Sequence, residues 1–180
     1  MEDFNMDGFG FIHERLDIEL LILYILNRLP GAIDRDTLTE LTIGCDGGIN
    51  YFNFSDALGV LITTGHVKCV DDMYTVTEKG KENGNITETS IPYPARMKAE
   101  RLLIPIAQKL RRNDMIKTET KPAPNGGYSV HLSLADGSGN LISMDILAGS
   151  ESQARQMAKK FHADAEALYA QIAMLLLDET

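Results

Sequence analysis

The segment Asn50–Gly80 reads N-Y-F-N-F-S-D-A-L-G-V-L-I-T-T-G-H-V-K-C-V-D-D-M-Y-T-V-T-E-K-G. Its first half has a helical period and its second half a period of two. Asn50 is a good N-cap. Phe54, Leu58, Leu61 and Ile62 follow at spacings of 4, 3 and 1, which places them on one inward face. Gly65 is the expected left-handed C-cap. His66–Val70 and Met73–Val76 then alternate around Asp71-Asp72, the pattern of a hairpin with a tight acidic turn. T-E-K-G at 77–80 closes the unit.

Two helices precede this segment. Asp17–Leu29 is apolar nearly all round, with Leu20, Leu21, Leu23, Tyr24 and Leu26 joined by Ile18, Ile22 and Ile25, so it is expected to be central and buried. Pro30-Gly31 stops it. Asp34 caps a second helix, Arg35–Ile43, ended by Gly44 and Gly47-Gly48. Three helices followed by a β-hairpin is the winged helix-turn-helix order. In that geometry the second helix of the turn enters the DNA major groove and the hairpin lies along the backbone.

Downstream, Pro94–Asn113 is helical, and Pro105 is expected to kink or locally break it. Three strands follow, Met115–Lys121, Tyr128–Leu134 and Asn140–Leu147, joined by the loop 122–127 and the hairpin turn Asp136-Gly-Ser-Gly139. A long amphipathic helix, Glu151–Leu177, carries the stripe Ala154, Met157, Phe161, Ala165, Leu168, Ile172 and Leu175. The predicted fold is therefore α+β: an N-terminal winged helix at 1–89, then an α-β-β-β-α unit at 90–180 with a three-stranded antiparallel sheet. A small sheet under one long helix leaves surplus apolar surface, and burial in a two-fold homodimer is the commonest solution. The second unit is accordingly read as a dimerisation or ligand-sensing domain, with Tyr128, Met144, Met157 and Phe161 as pocket residues for a small-molecule effector. Core packing explains those four equally well.

Charge divides the chain at the same place. Residues 1–89 carry 6 Lys and Arg against 16 Asp and Glu, a net of −10, whereas residues 90–180 carry 11 against 10, a net of +1. Eight of the later bases fall between Arg96 and Lys121. The polar, Pro92- and Pro94-containing stretch Asn85–Pro94 reads as the connection. The net charge of −9 over 180 residues disfavours a generic nucleic-acid coat or an anionic-membrane binder. No apolar run approaches the ~20 residues of a membrane span, and MEDFNMDGFG lacks the basic and apolar regions of a secretory signal. Cys45 and Cys69 have no redox or metal spacing and read as reduced core residues of a cytoplasmic protein.

Several motifs resemble known bacterial regulators. L-G-V-L-I-T-T-G-H-V (58–67) is similar to the end of a winged-helix recognition helix, and M-Y-T-V-T-E-K-G (73–80) to the segment that closes the wing. Over nearly its whole length the chain resembles the uncharacterised bacterial winged-helix domain-of-unknown-function family 4364, through D-I-E-L-L-I-L-Y-I-L (17–26), L-T-E-L (38–41), I-N-Y-F (49–52), Y-T-V-T-E-K-G (74–80), Ile91-Pro92 and the basic helix that follows. The resemblance implies a winged-helix fold and a role in transcription regulation. The acidity of the N-terminal half departs from what DNA binding favours.

The outward positions of the third helix would be Tyr51, Phe52, Asn53, Ser55, Asp56, Gly59, Val60 and Thr63, with no Lys or Arg among them. The DNA-binding set expected from the sequence is Asn50, Tyr51, Asn53, Ser55, Thr63, Lys68 and Lys79, with Arg111 and Arg112 from the basic helix. Double-stranded DNA is the expected partner. The rival reading is an acidic adaptor that binds a protein through the same helix. No catalytic residue, metal site or cofactor is expected. Asp136–Asn140 imitates a calcium loop but lacks its Gly and Glu positions. His66 with Cys45 and Cys69 lacks a fourth zinc ligand. His13, His66, His131 and His162 show no metal spacing, and His131, Ser143 and Asp145 come without a nucleophile elbow.

Overall fold

A computed structural model describes Ile12, residues 14–124 and residues 126–177. His13, named above, lies outside the described residues, as does Asn125 in the loop 122–127. The chain forms two compact units, Met1–Leu110 and Arg111–Thr180. The packing division falls after Leu110, later in the chain than the charge division at 89/90.

The first unit is built around α1 (Arg15–Arg28), in which Ile18 and every residue from Leu21 to Leu26 are buried. A helix apolar on all sides must be covered on all sides. The cover comes from α2 (Arg35–Cys45), α3 (Tyr51–Thr63) and α4 (Glu78–Thr87), and from β3 (Met73–Val76). Strand β2 (Val67–Val70) pairs antiparallel with β3, with Val67 opposite Val76 and Val70 opposite Met73. Asp71 and Asp72 form the turn with φ of 50° and 59°, the left-handed pair of a type I′ turn. The hairpin is not alone. A two-residue strand β1 (Ile33–Asp34) pairs with β3, so that β3 is central and β2 is an edge. That edge position leaves Cys69 exposed, contrary to the core reading. Cys45 is buried, its thiol donates to the Leu41 carbonyl at 2.9 Å, and burial pushes the thiol up to about 12.

Asn85–Pro94 is not an open connection. T-E-K-G initiates α4, with the Thr77 side chain capping it by accepting from Gly80 N at 3.2 Å. A 3-10 turn (Glu88–Ser90) follows, and Ile91 is buried in the first core. Helix α5 (Tyr93–Met115) runs without a break through Pro105. Pro105 and Arg101 are both exposed, so water can reach the carbonyl that loses its donor. Ala95, Ala99 and Leu103 of α5 belong to the first core. A polar cluster fixes α5 on α1. Glu100 Oε1 accepts from Tyr24 Oη at 2.7 Å and from Arg28 Nε at 2.6 Å, while Arg28 also pairs with Glu88 at 2.8 Å and stacks on the Tyr24 ring. Burial raises the Tyr24 hydroxyl well above its ordinary value. Burial would also raise the Glu100 carboxyl, but the bonds from Tyr24 and Arg28 outweigh it and hold Glu100 low.

The second unit is an antiparallel sheet in the order β4 (Ile116–Pro122), β5 (Tyr128–Asp136), β6 (Gly139–Ala148), covered on one face by α6 (Glu151–Leu177). Val130 lies opposite Ile146, Leu132 opposite Met144 and Leu134 opposite Ile142, which places these six on the helix-facing side. The Asp136 carboxylate accepts from Ser138 N and Gly139 N and so closes the β5–β6 turn. The stripe of α6 is buried at Ala154, Phe161 and Ala165, but Leu175 is 75% exposed and leaves the expected core. The helix is interrupted at Asp164, whose φ and ψ are −127° and 26°. Arg112 braces this point. It forms two bonds to the Glu166 carboxylate, at 2.7 and 2.8 Å, and donates to the Ala163 carbonyl at 2.9 Å.

Two measurements check this packing. A Cβ at Gly80 would lie 2.2 Å from the His66 carbonyl oxygen. Gly80→Ala should therefore lower unfolding stability by about 1–3 kcal/mol in urea titration, as overpacking does. Glu100 is held below its unfolded value, so its contribution is present above that value and is lost as pH falls through the folded one. Stability should drop on acidification below about pH 4.5, where unfolded carboxyls titrate, and Glu100→Gln should make that drop shallower.

Candidate nucleic-acid interface

Helix α3 begins where the sequence placed it. Asn50 Oδ1 accepts from Asn53 N at 3.0 Å, so Asn50 is a cap and its acceptor is committed. Phe54, Ala57, Leu58 and Leu61 face inward. Ile62, expected on that face, is 38% exposed, and Ala57 takes the inward position. The reason is the turn of the helix: residues 54, 57, 58 and 61 keep spacings of 3, 1 and 3, and 62 drifts off that stripe.

The outward face carries Tyr51, Phe52, Asn53, Asp56, Gly59 and Thr63, all exposed, with Ser55 and Val60 half-buried. Ser55, Asp56, Gly59, Val60, Thr63 and Thr64 line a shallow depression of about 360 Å³ along it. At Gly59 an added Cβ would meet nothing within 4 Å. Glycine inside a helix costs roughly 0.5–1 kcal/mol relative to alanine, and among the described residues no close neighbour requires it here.

Several expected contact residues turn out to be occupied. Thr63 Oγ1 donates to the Gly59 carbonyl at 2.8 Å. Lys79 Nζ donates to the Thr64 carbonyl at 2.8 Å, which places a cation on the C-terminal end of α3. Thr77 Oγ1 donates to the Gly65 carbonyl at 2.8 Å, and His66 bridges Thr64 and Asn83 at 2.8 and 2.7 Å. Together these bonds tie the start of β2 and the N-terminal turns of α4 to the end of α3. Lys68 projects exposed from β2. Arg111 and Arg112 belong to the second unit, and Arg112 is held by Glu166, whose carboxyl the Arg112 bond keeps low.

Two cations that the sequence reading passed over stand beside α3. Arg35 Nη2 donates to Ser55 Oγ at 2.9 Å, and its guanidinium lies 6.0 Å from the Tyr51 ring centre. Arg35 is the first residue of α2, where the helix dipole disfavours a positive charge. That misplaced charge, just after the Asp34 cap, was the sequence signal for it. Arg15 of α1 lies 3.6 Å from Asp56 and partly offsets the one acid on α3. Among the described residues no His, Cys, Asp and Glu are grouped to hold a metal ion. His131 is 3.0 Å from Asp145, its partner across the β5–β6 pair, while Ser143 lies opposite Ser133. Of the four expected pocket residues, Met157 and Phe161 line a groove of about 840 Å³ in the second unit, whereas Tyr128 and Met144 pack into its core.

Gly59→Ala should raise unfolding stability by roughly 0.5–1 kcal/mol, and Asn50→Ala should lower it by about 1 kcal/mol through the lost cap. Urea titration of both variants checks these opposite signs.

No helix among the described residues is long and apolar enough to cross a membrane. No curated protein and no solved structure matches the chain. A family model described as Domain of unknown function (DUF4364) matches residues 18–176. Covering both units with their helices and sheets, that match shows that the chain belongs to domain-of-unknown-function family DUF4364.

Proposed function

We propose that the protein is a transcriptional regulator that binds double-stranded DNA through α3, as a homodimer. The observation that carries this reading is the outward face of α3. It is exposed at Tyr51, Phe52, Asn53, Asp56, Gly59 and Thr63, its C-terminal end is bonded to His66 at the start of the hairpin and to Lys79, and a Cβ at Gly59 would meet nothing within 4 Å, which leaves room there for close approach from outside. In this reading Asn53 meets base edges, and Lys68 and Arg35 supply positive charge around the helix, while Arg15 is taken up by Glu19 and Asp56. Few cations imply weak non-specific affinity, since phosphate neutralisation supplies most of it.

A second reading, a protein-binding adaptor, draws on the exposure of Phe52 and Tyr51, 82% and 51%, next to an acidic wing tip. Mobility-shift titration on the DNA upstream of its own gene separates the two. DNA binding predicts affinity that falls steeply between about 50 and 200 mM salt. Lys68→Ala should reduce the salt slope by about 1, and Gly59→Ala should weaken binding although it stabilises the fold. Asp71→Asn, which keeps the left-handed turn and removes a charge, should strengthen binding. No shift at low salt, or a shift indifferent to Asn53→Ala and Gly59→Ala, would favour the adaptor.

A further inference from the structure

The second unit has two unpartnered apolar features. One is the groove between α6 and the sheet, floored by Leu132, Ile146, Met157, Phe161 and Leu168. The other is the end of α6, where Met174, Leu175, Leu176 and Leu177 are 65%, 75%, 81% and 78% exposed. Four consecutive exposed apolar residues need a cover. The tail cannot fill the groove of its own chain, because it continues the helical segment after Asp164, whose Ala167, Leu168 and Gln171 already form part of the groove wall. It begins three residues beyond Gln171, the last groove residue, about 4.5 Å further along the axis.

We infer that the groove receives the α6 tail of a second copy of this chain, and that the exchange is reciprocal. Two α6 helices laid antiparallel about a two-fold axis near Asp164 bring Leu175 of each beside Gln153 of the other. Each tail then lies over the partner's groove, and the contact closes on itself, as an isologous interface must. At the axis each Asp164 is paired with its own Lys160. The size also fits. From Gln153 to Leu177 α6 is about 36 Å long and about 10 Å wide, and two neighbouring strands add about 5 Å each. The face is thus about 700 Å², close to the ~800 Å² that a stable dimer takes from each partner.

This specifies the dimer invoked above, and its test uses no DNA, so the two readings fail separately. Sedimentation equilibrium on the full chain should give a dimer. Leu175→Glu with Leu176→Glu changes only exposed positions, and Ala167→Glu introduces a charge on the groove wall at another exposed position. Each should raise the dissociation constant by about tenfold or more, as truncation of a hot-spot contact does, with circular dichroism unchanged. In a Cys69→Ser background, chains carrying Gln156→Cys and Leu175→Cys, when mixed, should be joined to each other by a short bis-maleimide. A wild-type chain that stays monomeric, or a dimer indifferent to both charge changes and uncoupled by the linker, overturns the inference.

Discussion

Helix α1 has no polar face, and the first unit is the consequence. Seven buried residues in fourteen leave no side that water can occupy, so α2, α3, α4 and β3 must close around it. α3 contributes only its Phe54, Ala57, Leu58 and Leu61 stripe to that closure. Its other side is outward because nothing remains for it to cover. The Tyr24, Arg28 and Glu100 cluster extends the same arrangement to α5, since a half-buried guanidinium must be paired and hydrogen-bonded. The presentation of α3 is therefore set by the burial of another helix.

Around α3 the polar side chains divide into those that build the site and those left to act. Asn50, Thr63 and Lys79 satisfy backbone groups of α3 or its end. Such bonds are worth more to the fold than to a ligand, because the orphan groups of a helix end otherwise go unpaired. Asn53, Lys68 and the bare backbone at Gly59 remain open outward. Arg35 stands between the two groups: it braces Ser55, yet its charge sits where its own helix disfavours it. Residue type alone did not separate these roles. Each depended on whether a backbone partner came within reach.

The second unit follows another logic. Its sheet has alternating strands, and one helix covers one face. The cover is incomplete because α6 is longer than the strands are. At 1.5 Å per residue its 27 residues span about 40 Å, against about 30 Å for the ten-residue β6. The last turn, from Met174 onward, runs exposed beyond the core residues of α6. Arg112 braces the break at Asp164, which explains why a residue read as a phosphate contact is engaged within its own unit.

The sequence by itself determined the local structure: the caps Asp34 and Asn50, the acidic type I′ turn, the three later strands and both long helices. Each rests on chemistry within a few residues, such as a side chain bonding a nearby N–H or an alternation of period two or 3.6. Only the tertiary structure decided the rest. Strand β1 is two residues long and exists because β3 has a free edge beside it. Helix α4, poor in apolar residues, is held by Gly80 and Gly84 fitting against neighbouring elements. Cys69 is exposed because β2 became an edge, and Lys79 and Arg112 are occupied because carbonyls and carboxylates distant in the chain came near. In each case the deciding partner lies far away in the chain, where periodicity and propensity carry no information.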